Sequence, residues 1–223
     1  MTQERRRYFH DALNHLQDRL LEMAGKAEEQ VRKAGDALLN RNVELAKEVR
    51  KGDHAVDTLE QEVDEQVVEL LALQQPMAVD LRRVVVTLKI ANDLERVGDH
   101  AVNISKATKR MMEYPPLPNL PEVAEMLGIA QGMLADCLAA YVARDPELAR
   151  DVHARDDRVD NLRRSLYRIL VSHMLEEPRR ISPALEMLLV SQNIERIADL
   201  ATNIAEDVVF LVEGKPMRDR TAE

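Results

Sequence analysis

A chain of 223 residues with 45% hydrophobic, 32% charged and only 3% aromatic residues, no Trp, 7 Gly and 9 Pro has room for a sizeable core but lacks the strand formers and turn residues a sheet needs. Its net charge of −9 excludes a general nucleic-acid binder, which needs basic surface to displace counterions from phosphates. The single cysteine, Cys137, leaves neither an internal disulfide nor a cysteine-based zinc site and points to a reducing compartment.

The elements read as helices throughout. From Phe9, the apolar positions Leu13, Leu16, Leu20, Met23, Ala27, Val31, Ala34 and Leu38 recur every three or four residues, the mark of one long amphipathic helix. Asn40-Arg41-Asn42 breaks it, and Asn42 is placed to cap a second helix with Leu45, Val49, Val56, Leu59, Val63, Val67 and Leu70 on its core face. That helix should end near Gln74-Gln75-Pro76, because proline disfavours its continuation. A third runs from about Met77 to Met111, before Pro115, Pro116, Pro118 and Pro121 close the first half. The methionines read as core filler, and Cys137 as a small buried side chain.

After the prolines the plan repeats. Glu22-Met23-x-Gly25-x-Ala27 returns as Glu125-Met126-x-Gly128-x-Ala130, and Asn42-Val43-Glu44-Leu45-Ala46 as Asp145-Pro146-Glu147-Leu148-Ala149, both 103 residues later. Beyond the turn at Glu176-Glu177-Pro178 the offset becomes 100, as a duplication with a short net deletion requires. The expected fold is all-α, with six long helices in two tandem antiparallel three-helix bundles, residues 1–114 and 115–223. No apolar run reaches the roughly 18 to 20 residues of a membrane span, and no apolar segment follows the basic start at Arg5-Arg6-Arg7. A cytoplasmic protein is expected, reaching a membrane only through a partner.

The repeats also keep chemistry. Leu94-Glu95-Arg96-Val97-Gly98-Asp99-His100-Ala101-Val102-Asn103-Ile104 returns as Ile194-Glu195-Arg196-Ile197-Ala198-Asp199-Leu200-Ala201-Thr202-Asn203-Ile204. Spacing by four puts Glu95 with Asp99, and Glu195 with Asp199, in a stripe along one side of each helix, beside a core face at Leu94, Val97, Ala101 and Ile104 and its repeat. A second acidic pair is duplicated too: Asp53 with Asp57, and Asp156 with Asp160. Counting from the hairpin turn, Asp57 lies 18 residues before Gln75 and Glu95 lies 19 after Pro76, so antiparallel helices hold them at nearly one height.

Four carboxylates gathered without a cation repel one another, and a divalent or trivalent metal relieves the repulsion. All-oxygen donors suit Mg²⁺, Ca²⁺, Mn²⁺ or iron. The competing reading is a solvated acidic face, with Arg96 and Arg196 as partners. Glu60 and Asp64 extend the stripe in the first half, but Arg163 and Tyr167 replace them in the second, which favours a solvated face there. His54 and His100 neighbour the acidic pairs, yet their counterparts are Asp157 and Leu200. No phosphate-cradling Gly-rich loop, Gly-x-Ser-x-Gly or His-Glu-x-x-His is present, and the Glu-x-x-His of di-iron bundles is missing, so a non-enzyme is expected. The alternatives are a metal-dependent enzyme of the carboxylate-bundle type and a metal-free helical adaptor.

The run Leu73-Gln74-Gln75-Pro76-Met77-Ala78-Val79-Asp80-Leu81-Arg82, the two Glu-Arg-x-x-Asp segments and the trailing Gly214 resemble the PhoU family of phosphate-signalling regulators, nearly end to end. The resemblance implies two three-helix repeats and multinuclear metal clusters, of iron or zinc, on the paired acids at 53, 57, 95, 99, 156, 160, 195 and 199. It also implies a negative regulator of phosphate uptake and of the starvation response. Such a protein links the ATPase subunit of a phosphate ABC transporter to a sensor histidine kinase, and forms dimers. The second repeat has Glu177-Pro178-Arg179-Arg180-Ile181 where the first has the Gln-Gln-Pro run, so Asp80 and Arg82 lack equivalents.

Overall fold

The computed structural model describes residues 3–217, with no strand among them. Residues 1–2 and 218–223, the ends of the expected 1–114 and 115–223 units, lie outside the described residues, as does the very start of the basic N-terminal stretch. Helix α1 runs Gln3–Leu39, α2 Val43–Gln74 and α3 Val79–Met111. The core face of α1 is buried at every expected position from Leu13 to Leu38. Asn42 caps α2, accepting the Leu45 N–H on its side chain at 3.1 Å. The α2 face is buried as expected from Val49 to Leu70, but Leu45 is half exposed and its neighbour Ala46 takes the core position. Gln75, in the left-handed region, ends α2 at Pro76.

The second half repeats this layout with one interruption. Helix α4 spans Pro121–Ala143, α5 Pro146–His153, α6 Asp156–Glu176 and α7 Ile181–Glu213, with a single 3₁₀ turn at Pro178–Arg180. The fifth helix, expected as one rod, is therefore two, α5 and α6, broken at Ala154 and Arg155. Arg155 explains the break. Its backbone N–H bonds Val152 instead of continuing the α-helical ladder, its Nε covers the freed Asp151 carbonyl, and its Nη2 reaches Asp136 on α4 at 2.6 Å.

Helices α3 and α7 lie antiparallel at the centre and join the halves, while α1 meets α4 along a second seam. Three cross-links fix the register of α3 on α7: Lys89 to Asp207 at 2.6 Å, His100 with Asn193 at 2.9 Å, and Arg110 in a two-pronged pair with Glu186. Leu94, Val97, Ala101 and Ile104, with Ile194, Ile197, Ala201 and Ile204, are fully buried, as their spacing predicts.

Two further expectations need correction. Helix α4, at 23 residues, is long and apolar enough by length and composition to cross a membrane, contrary to the reading that no such run exists. Half of its apolar window is buried, and it packs on α1, α5, α6 and α7, which accounts for its apolar character as a core helix. Met23, Met126 and Met133 are core filler, but Met77 is 81% exposed at the α2–α3 turn. Cys137 is buried, and burial pushes its thiol well above the usual range.

Candidate functional site

Helices α2 and α3 bring Asp53, Asp57, Glu95 and Asp99 within one another's fields. Burial raises the Asp53 carboxyl, and the charges of Asp57 and Asp99 raise it further; Lys106 opposes them. Glu95 is raised by burial and then by Asp99, Asp57, Glu60 and Asp53. Acids on both helices therefore face each other across the hairpin, because the two arms have nearly equal length from the Gln75 turn. Glu60 is half-buried beside Asp57 and Asp64 and is raised by burial and by both of them, so it belongs to this acidic field more than to a solvated face.

A group the sequence did not point to completes this site. Gln30, on α1, is 5% exposed, and neither its amide oxygen nor its amide nitrogen has a hydrogen-bond partner among the described residues. A buried amide without partners costs about 1–3 kcal/mol. A Cβ on Gly98 would stand 2.8 Å from the Gln30 oxygen and 3.7 Å from an Asp53 oxygen, so the missing side chain at Gly98 is what lets both groups share the space over α3. The signal was present but weak: Gln30 adjoins Val31 on the core side of α1, where a polar residue needs a reason.

In the second half, Asp156 on α6 is raised by burial, then by Asp199 and Asp160. Glu195 and Asp199 on α7 are also raised mainly by burial. Here arginines oppose the shift. Arg163 stands 3.8 Å from Glu195, and Arg196 stands 3.7 Å from Asp199. In the first half Glu60 occupies the place of Arg163, and Arg96 turns away to Asp93 at 3.2 Å. The arginine partner named in the solvated-face reading thus stands against its acid in the second half, Arg196 at Asp199, and not in the first, where Arg96 pairs with Asp93. Asp156, Asp199, Arg96 and Arg196 line one cleft of about 300 Å³ where α3 meets the second repeat.

Two histidines stand in the field of the second acidic set, His153 opposing the rise of Asp156 and His100 that of Asp199. His100 is tied to Asn193 on α7, and His54 points to solvent. Among the described residues no three His, Cys, Asp or Glu side chains converge closely enough to hold one metal ion. The first-half donor set nevertheless suits a hard cation: four carboxylates, raised by burial and mutual repulsion where a shift is resolved, and a buried amide oxygen without a partner. The second set, with two arginines against its carboxylates, suits one less well.

Comparison with known proteins agrees with the duplicated plan. The PhoU domain matches twice, over residues 20–108 and 123–208, once on each side of the proline segment. A phosphate-specific transport system accessory protein PhoU homolog of Caulobacter vibrioides is 39% identical over 218 residues, covering 97% of this chain and 95% of its own. Another, from Aquifex aeolicus, is 39% identical over 203 residues and covers 91% and 92%. The crystal structure of PhoU from Pseudomonas aeruginosa superposes with a TM-score of 0.91 at 36% identity, covering 93% of this chain and all of that one. With both halves matched and relatives aligned along nearly their full length, this chain belongs to the PhoU family.

Proposed function

We propose that this chain is a non-enzymatic accessory protein of a phosphate uptake system, and a negative regulator of that system and of the starvation response. The observation that carries this is the near full-length similarity to proteins named as phosphate-specific transport system accessory proteins. In this reading it works in the cytoplasm between the ATPase subunit of a phosphate ABC transporter and a sensor histidine kinase, meets the membrane only through them, and self-associates. Its two repeats divide at the prolines, 1–114 and 115–223. Long rods tied at α3 and α7 offer extended docking faces, which suits coupling between partners.

The acidic sites hold cations in this reading. Asp53, Asp57, Glu95, Asp99 and Gln30 bind one or more divalent or trivalent ions, iron, zinc, Mg²⁺, Mn²⁺ or Ca²⁺, which neutralise the repulsion that adds to burial in raising Asp53 and Glu95. Asp156, Asp160, Glu195 and Asp199 form the weaker counterpart. What the cation supplies is charge neutralisation and a clamp between α2 and α3. A metal-free adaptor is the second reading, favoured by the spread of the carboxylates and by the arginines in the second half.

Deletion of the gene tests the regulator: starvation genes turn on at high phosphate, and unchanged expression sinks the reading. Element analysis of protein purified under metal-replete conditions separates the loaded from the metal-free form. Absence of bound metal, together with no change in stability on Asp99→Ala, favours the adaptor.

A further inference from the structure

Equivalent faces of the two repeats carry opposite charge. Residues 52–81, covering most of α2 and its turn, contain no Lys or Arg, and Glu60, Glu62, Asp64, Glu65 and Glu69 follow one another along the helix. In the second repeat, residues 161–175 contain no Asp or Glu, and Arg163, Arg164 and Arg168 stand in place of Glu60, Gln61 and Glu65. Duplication preserved the fold and inverted the sign of this surface.

The two faces also share a pattern. On α2 the sequence Glu65-x-x-Val68-Glu69 sets an apolar side chain between two acids, and on α6 Arg164-x-x-Tyr167-Arg168 sets one between two bases at the same spacing. Three- and one-residue steps keep each set on one side of its helix. Val68 is 65% exposed, with Leu73 at 53% beside it; Tyr167 is 57% exposed, with Leu189 of α7 at 46%. Tyr167 and Leu189 lie in a groove of about 720 Å³ between α6 and α7, rimmed by Arg163, Arg164 and Arg168. Glu65, Glu69 and Arg168 make no ion pair among the described residues. Exposed apolar side chains bordered by such charges mark a contact surface, and a surface of matching spacing and opposite sign is on the same chain.

We propose that the acidic α2 face of one copy docks on the basic α6–α7 face of a second copy, with Glu65, Val68 and Glu69 set against Arg164, Tyr167 and Arg168. The contact joins two different faces, so it closes into a pair when both faces of each copy engage the other, and extends into a chain when they do not. It specifies the surface for the self-association in the functional reading and requires no metal.

Sedimentation of the full chain tests it. The wild type associates at about 0.1 M salt and dissociates toward monomer at about 1 M, because these charges lie at the surface. Arg164→Glu with Arg168→Glu, and separately Glu65→Arg with Glu69→Arg, each weaken association about tenfold or more, while circular dichroism stays helical. An equimolar mixture of the two variants regains it, and so does the chain carrying all four changes. A wild type that stays monomeric at about 100 µM overturns both self-association and this surface. Variants that associate as the wild type does, or a mixture that fails to regain association, overturn the surface alone.

Discussion

Arg96 bonds Asp93 at 3.2 Å, whereas its repeat partner Arg196, which has Asn193 in place of that acid, reaches forward to Asp199 at 3.7 Å. One difference between acid and amide thus decides whether an arginine stands against the paired carboxylates. Asp93→Asn should make the first site resemble the second by releasing Arg96 toward Asp99. A positive charge about 4 Å from a ligand carboxylate should weaken cation binding by about tenfold. Calorimetric titration with Mn²⁺ reads this, and equal affinity in the variant would show that Arg96 does not move.

Gln30 keeps its amide buried without a partner beside Asp53 and Gly98. Gln30→Met, of similar shape and apolar, should therefore stabilise the metal-free protein by about 1–3 kcal/mol and at the same time weaken cation binding in the first half. Melting with chelator and with added Mn²⁺ separates the two effects. A variant no more stable than the wild type in chelator indicates that a water satisfies the amide.

Gly214 ends α7 in the left-handed region at φ 70°, and the Arg82 guanidinium lies directly over it: a Cβ would meet Nη1 at 2.1 Å. This gives Arg82 a structural task at one end of the α3–α7 seam, without an equivalent in the second repeat. Gly214→Ala should cost about 1–2 kcal/mol from backbone strain, with a smaller addition from displacing the flexible Arg82 tip. Adding Arg82→Ala should recover the displacement part. Urea unfolding of the two single variants and the double variant measures this, and strictly additive costs would disprove the contact's role.

Asp93 has its carboxyl pushed up to about 6, mainly by burial, with Arg96 opposing and Asp207 adding to the rise. In the unfolded chain it ionises near its ordinary 3.8, so between that value and about 6 the folded protein holds a proton the unfolded chain has lost. Folding is thus favoured at the acidic end of that window, and this contribution is lost as pH rises through about 6. Asp93→Asn should remove that slope. Urea midpoints measured across the window for both proteins give the comparison, and parallel profiles would exclude Asp93 as its source.

Much of this architecture was legible in residue spacing. The core line from Leu13 to Leu38, the Asn42 cap and the paired acids on α2 and α3 depend on contacts one turn apart, which a helix period of 3.6 dictates locally. Hairpin counting set Asp57 level with Glu95 because both arms rise at the same rate. The break at Arg155 was not legible, since it depends on Asp136, a residue of another helix.

By itself, the sequence determined a helical plan in two copies, which faces are apolar and where the carboxylates stand along each helix. Only the tertiary structure decided how the rods rotate about their axes and where long side chains reach. That rotation leaves Gln30 buried beside Asp53, gives Arg163 to Glu195, and leaves the inverted α2 and α6 faces open to solvent. Spacing fixes height along a helix, while azimuth and reach are set by what packs against it.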